Sequence, residues 1–454
     1  MQPAIAACTC VVLIAVLFLS ESRVDNREAS NALWIPFSWL FFAASRFPSI
    51  WLTSVDAWQA GTVTASSTDG SPLDRAVFTL LIAAGLAILA QRRARVAQWL
   101  RANPWVWLLF LYGAISVLWS DYPVVSLKRI VKAFGNLVMA LIVVTEQDPA
   151  KAFGWIIRRL AYLVVPLSIL YIKYFPDMGR QFHFGEPMYT GVASHKNGLG
   201  QTCLIIGIYL AWSVLFWRKR PDSRGRPLPL GYFVIIPGTT WLMYMADSAT
   251  SLITLILGIS ILTMAKVRGI YGQPKRLLLT IVLLSLPLAL LIPFAGLHML
   301  VLEALGRDSS LTTRVPMWLV LLQVPLNWVV GTGFQTFWLS SIGNAVSDMF
   351  LVSNAHNGYL EVYLNLGMTG LAILCLAIML GLVHMLRAGS GEYVSFALRF
   401  TYLVAVVLYN WTEAAFLFGL SAPWVILLIV ILMPNMQASR QNMELRPAVG
   451  LKQP

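Results

Sequence analysis

Charge is scarce in this sequence: only 12% of its 454 residues are Asp, Glu, Lys or Arg. A soluble domain carries about 25%, so a free cytosolic enzyme or binding module is excluded. Cysteine is scarce too, and Cys8, Cys10, Cys203 and Cys375 all lie in apolar stretches, which rules out a disulfide framework in the loops. With five histidines and no Cys/His ligand spacing, no metal site is written into the chain, and no cofactor is expected. Internal repeats and low-complexity segments are also lacking. The first apolar run has no basic residues before it, which favours a first membrane span over a cleaved signal.

What is present is apolar: 58% of residues are hydrophobic. Because about 20 apolar residues cross a bilayer, spans are expected near 4–20, 33–53, 73–90, 104–120, 127–145, 153–172 and 197–217. Others follow near 230–246, 249–265, 277–297, 361–386, 395–411 and 416–433. The second is interrupted by Arg46 and Pro48. The expected fold is therefore all-α, a polytopic membrane helix bundle of about 12–13 transmembrane helices. The net charge of +13 is a matter of topology rather than of nucleic-acid binding. Arg92, Arg93, Arg95 and Arg101 share one connection, Arg218, Lys219, Arg220, Arg224 and Arg226 another, and Lys266, Arg268, Lys275 and Arg276 a third. Parity places all three on one face, the cytoplasmic one, with Arg387 and the tail that bears Arg440, Arg446 and Lys452.

Loops near 54–72, 173–196 and 298–360 then lie outside. The last contains an apolar run, 315–330, broken by Pro316, Pro325 and Asn327, which reads as a helix lying at the interface or dipping partway into it. Four regions result: N-terminal transmembrane helices over 1–172, central helices with an outer loop 173–196 over 173–297, a large extracytoplasmic loop over 298–360, and C-terminal helices with a cytoplasmic tail over 361–454.

Lys173, Arg180, Lys196, Arg307 and Arg314 break the orientation rule by standing outside, near His183, His195 and His356. They are either ordinary solvated surface of translocated loops or an anion site. Arg314 fits an anion site best, because a guanidinium makes paired, charge-assisted hydrogen bonds and stays protonated. His356 opens the most suggestive stretch, Ser353 to Gly367. If that stretch is helical from Asn357, then Asn357, Glu361 and Asn365 form a polar stripe entering the membrane, with Tyr359 and Tyr363 on the side of the histidine. Such a stripe is costly unless it faces a wet cavity or another protein group. His356 is thus the candidate general base, since a neutral imidazole accepts a hydroxyl proton near neutral pH. His195 is a weaker candidate; His183, His298 and His384 read as structural. The aromatic cluster Trp318, Trp328, Phe334, Phe337 and Trp338 fits either sugar-ring contact or a membrane-interface belt.

Four segments resemble the O-antigen ligase and polysaccharide polymerase superfamily, most of all its exopolysaccharide polymerase branch. They are Ser194 to Gly200, Leu305 through Arg314 to Trp318, Gly331 to Phe334, and Ala355 to Leu360; Asn410-Trp411-Thr412-Glu413 resembles a weaker fifth signature. The resemblance covers the second half of the chain. It implies a fold like that of the C-type membrane glycosyltransferases, acting without nucleotide on a polyprenyl-diphosphate-linked oligosaccharide at the periplasmic face of a bacterial inner membrane. It implies Arg314 on the diphosphate and His356 activating the acceptor or assisting at the donor, as the catalytic pair. His195, Lys196, Asn197, Arg307, Arg180, Asn357, Tyr359, Glu361 and Trp338 are the candidate substrate-binding residues. Membrane lipid, a chain-length regulator and export machinery are candidate partners, and nucleic acid is not. Ligases of the superfamily often carry a further arginine at a middle outer turn, where this chain reads Asp247-Ser248-Ala249-Thr250-Ser251. Its absence leaves the second diphosphate-binding cation open and tilts the reading from ligase to polymerase. A non-catalytic flippase is the rival from another class.

Overall fold

The computed structural model describes residues 2–25, 30–52, 71–183, 186–220, 223, 226–294, 314–387, 392–417 and 419–434, with backbone alone at 22–25, 183 and 286–294. Arg307, the side chain of His183, most of the loop near 54–72 and the basic tail lie outside the described residues.

Helices form at all thirteen expected spans, so the bundle is all-α and polytopic. Five of them are long and apolar enough to cross a bilayer: Pro3–Glu21, Pro72–Gln91, Pro149–Tyr174, Lys196–Lys219 and Gly358–Leu386. A bent pair makes a sixth, and Asn31–Ala44, Tyr232–Ala246, Ala249–Met264, Tyr393–Tyr409 and Ala422–Leu432 are shorter apolar helices. Ala422–Leu432 is buried along its whole length, and Pro149–Tyr174 over most of it. By contrast, Pro3–Asp25 and Pro72–Gln91 expose apolar side chains such as Val11 and Leu80, as a surface facing lipid tails requires.

Two expectations need correction, and two elements stand where none was anticipated. The second span is shorter than 33–53: its helix Trp34–Ala44 stops before Arg46, whose guanidinium turns to the carbonyls of Met178, Gly191 and Ala193 and so fastens the loop that follows Tyr174. That loop is not wholly helical or irregular, since Arg180–His183 and Glu186–Tyr189 pair as an antiparallel hairpin. The arginine connection after Gln91 is itself a helix, Arg93–Ala102, lying 90° from the helix that starts at Pro104. Finally, the run 315–330 is helical only over Arg314–Leu322. Pro325 falls where that helix has ended, and from Trp328 the chain runs on through turns and a short 3-10 helix, Phe337–Leu339, as a strap.

That strap accounts for the break in Gly358–Leu386. At Gly367 the backbone takes φ 65°, ψ −170°, a conformation essentially confined to glycine, and a Cβ there would lie 2.2 Å from the carbonyl oxygen of Val329. The amides of Met368 and Thr369 donate to the carbonyls of Trp328 and Val329, while those of Thr332 and Gly333 donate to Leu364 and Asn365. Tyr112 Oη closes the remaining gap by donating to the Leu366 carbonyl at 3.1 Å. An irregular backbone is tolerated inside a spanning helix only when its polar groups are satisfied this way.

Candidate functional site

At the end of the bundle opposite the arginine-rich connections, three segments meet. Helix Tyr393–Tyr409 ends at Asn410, whose side-chain oxygen accepts from the amides of Ala415 and Phe416 and folds residues 410–416 into a tight turn. Gly358 begins the broken helix, with Asn357 as its N-cap: Asn357 Oδ1 accepts from the amides of Tyr359 and Leu360, both at 3.0 Å. The Gly358 amide donates to the carbonyls of Asn410 and Glu413, an approach so close that a Cβ would fall 2.1 Å from Asn410 Oδ1. His356, one residue before the cap, has φ 46°, and its amide donates to Asn354 Oδ1. A left-handed non-glycine residue held in place by its neighbours is typical of a functional position. The third segment is helix Arg314–Leu322, which Arg314 opens and Trp318 secures by donating Nε1 to the Ala355 carbonyl at 2.8 Å.

These segments converge on one carboxylate. Arg314 Nη2 and Asn197 Nδ2 each reach Glu413 Oε1 at 3.0 Å, and Arg314 Nη1 donates to the Thr412 carbonyl. Nδ1 of His356 lies 3.5 Å from Glu413 Oε2, longer than a formed hydrogen bond but well within ion-pair range. Burial works to raise the Glu413 carboxyl; the imidazole of His356 and the guanidinium of Arg314 outweigh it and hold the group below its usual range. Glu413 is therefore an anion at neutral pH. His195 sits alongside: its Nδ1 accepts from the Gly198 amide, capping helix Lys196–Phe216. Burial pushes its imidazole below the usual value, with Glu413 pulling it up and His356 pushing it down. Lys196 Nζ pairs with Asp247 Oδ2 at 3.2 Å, and Thr250 on the same turn shares a 2.8 Å hydrogen bond with Thr412.

Arg314, His356, Asn197, His195 and Lys196 are thus brought to one end, the first three onto a single carboxylate. The polar stripe does something else. Glu361 is buried, and its oxygens accept from Trp338 Nε1 at 2.8 and 3.1 Å and from the Ala355 amide at 3.0 Å. Asn365 donates to the Glu361 carbonyl and accepts from the Phe337 amide. Glu361, Asn365 and Trp338 therefore brace the strap against the helix and anchor the residue before His356. Tyr359 donates to the Val407 carbonyl and packs on Trp411 and Phe416. Arg180 is turned to the Ile172 carbonyl and the Tyr189 ring. The residue the sequence reading did not single out is Glu413; its only signal was its place in the Asn410 to Glu413 signature. Among the described residues no group of three His, Cys, Asp or Glu side chains could hold a metal ion.

No protein-family model matches the chain. Over 291 residues it is 25% identical to the exopolysaccharide production protein ExoQ of Rhizobium meliloti (strain 1021). It resembles an exopolysaccharide production protein. The alignment takes in 60% of this chain and 63% of that protein, so the chain spans less than two thirds of its relative's length.

Proposed function

We propose that this chain is an integral membrane glycosyltransferase that polymerises polyprenyl-diphosphate-linked oligosaccharide repeat units into a surface or secreted polysaccharide. It would do so at the periplasmic face of the inner membrane. The observation that carries the reading is the convergence of Arg314 and His356 on Glu413, at the end of the bundle opposite the basic connections.

In this reading an acceptor hydroxyl attacks the anomeric carbon of the lipid-linked donor. The carbon–oxygen bond to diphosphate breaks, and the lipid diphosphate leaves with the bonding electron pair. Nδ1 of His356 faces Glu413, which leaves Nε2 to take the hydroxyl proton, and the adjacent anion stabilises the imidazolium that forms. Arg314, held beside the site by Thr412 and Glu413, stabilises the charge on the departing diphosphate. The likeness to an exopolysaccharide production protein supports a role in making exopolysaccharide.

The test uses purified protein in lipid nanodiscs, given lipid-linked repeat units on its open face. Wild type should elongate them, while His356→Ala and Arg314→Ala should not. A wild type that leaves single units unchanged refutes the transferase reading. Deletion of the gene should cause lipid-linked single units to accumulate; long lipid-linked chains would point to a ligase instead.

A further inference from the structure

A hollow of about 370 Å³ opens beside the Glu413 cluster, walled by Met188 and Tyr189 of the hairpin, by Tyr244 at the end of helix Tyr232–Ala246, and by Lys196 and Asp247. We propose that this hollow is the acceptor subsite, binding neutral sugar residues at the end of the growing glycan, and that Lys196 reads hydroxyls there instead of phosphate. The inference rests on the glycosyltransferase reading.

Size and wall chemistry both fit. Small-ligand sites run about 300–1,000 Å³, enough here for one or two sugar rings. Tyr189 and Tyr244 present flat rings of the kind that cover the apolar face of a sugar, and Tyr244 is 81% exposed. Between them stand an ammonium group and a carboxylate 3.2 Å apart, giving hydroxyls a donor and an acceptor at no net charge.

The same pair argues against a diphosphate. The Asp247 side chain is 77% exposed and lines the hollow, so an anion bound there would meet an open carboxylate. Glu413, in contrast, is buried behind Arg314 and accepts from two donors, Arg314 and Asn197. Asp247 stands in the tight turn between helix Tyr232–Ala246 and the helix that starts at Ala249, at φ 45°, a left-handed conformation that Asp adopts more readily than most residues. The hollow and the cluster share walls: Lys196 lies between His195 and Asn197, which reaches Glu413, and three residues beyond Asp247 Thr250 bonds Thr412. A glycan seated in the hollow would direct its terminal hydroxyl toward His356.

The experiment has two arms on the full chain in nanodiscs. The first measures binding of the neutral oligosaccharide released from the host's own polysaccharide, by saturation-transfer NMR and tryptophan fluorescence, with inorganic diphosphate as competitor. The second measures elongation of lipid-linked units. Tyr244→Ala and Asp247→Asn should each weaken oligosaccharide binding at least tenfold, raise the KM for acceptor more than they lower kcat, and shorten the product; Tyr244→Phe should restore binding. Diphosphate should not displace the oligosaccharide, and His356→Ala should still bind it. Displacement by diphosphate, or wild-type binding by Tyr244→Ala, overturns the acceptor subsite while elongation by wild type leaves the transferase reading intact. Failure of wild type to elongate while it still binds oligosaccharide overturns the transferase reading and, with it, the acceptor role.

Discussion

Replacing Glu413 by Gln separates the charge of the hub from its shape. The amide keeps the volume and one oxygen for Arg314 or Asn197, but it removes the anion beside His356 and Arg314. Breaking a buried pair by removing one partner costs about 3–5 kcal/mol. Here the side chains are 19% and 11% exposed, and one acceptor survives, so about 2–3 kcal/mol is expected. Stability should therefore fall measurably while the protein still inserts. Turnover should fall further, because an imidazolium without its adjacent carboxylate loses general-base assistance typically worth about 10² to 10⁴ in rate. We expect at least a hundredfold lower kcat for elongation in nanodiscs, with Arg314→Ala in the Glu413→Gln background costing less stability than Arg314→Ala alone. A Glu413→Gln enzyme that is as stable and as fast as wild type would refute the assignment of the hub.

Gly367→Ala should cost about 1–3 kcal/mol from backbone strain alone, and more because its Cβ would strike the Val329 carbonyl. Gly269→Ala, where nothing lies within 4 Å, is the control; equal thermal midpoints for the two variants would contradict the strap. Glu361→Ala leaves Trp338 Nε1 and the Ala355 amide without their acceptor, at about 1–3 kcal/mol each. Its product should shorten, with Glu361→Gln intermediate between it and wild type. Acid should loosen the cluster only at low pH. The folded carboxyl of Glu413 lies below the ordinary glutamate value of 4.5, so the unfolded chain binds more protons as pH falls through that window. The stabilisation is fully present above about 4.5 and lost as pH falls through the folded value. A thermal melt series should show this acid limb in wild type and a weaker one in Glu413→Gln.

The bundle was legible because apolar runs of the right length report helices whatever their packing. The nearness of Arg314 and His356 is expected because both read as belonging to outer loops, where Arg314 departs from the positive-inside pattern; Asn197 enters only through the resemblance of Ser194 to Gly200. The strap over 328–338 was not, since its hydrogen bonds join residues tens of positions apart and depend on a glycine whose φ no periodicity reveals. For the same reason the spacing of Glu361 and Asn365 reported that they share a side and left open whether they face a cavity or protein groups; that Trp338 and Phe337 meet them there was not legible. Glu413 sits in a short turn without amphipathic pattern, so its partners come only from the docking of Asn410 on Gly358.

Charge balance adds a step that neither the sequence nor any single contact gives. With His356 neutral, the charged side chains of the cluster cancel: Arg314 against Glu413, and Lys196 against Asp247. A lipid diphosphate brings more than one negative charge, so it gains most if it takes over part of the Arg314 guanidinium from Glu413. A Glu413 carboxylate released in this way is free to draw closer to His356 Nδ1 than the 3.5 Å seen here, placed to stabilise the imidazolium that forms as the donor reacts. Donor binding and placement of that carboxylate are then one event. It follows that Glu413→Gln should bind inorganic diphosphate more tightly than wild type even as turnover falls, because nothing anionic competes for Arg314. Titration of the two proteins in the same nanodiscs measures this directly, and weaker diphosphate binding by Glu413→Gln would show that the carboxylate and the diphosphate do not compete for the same guanidinium.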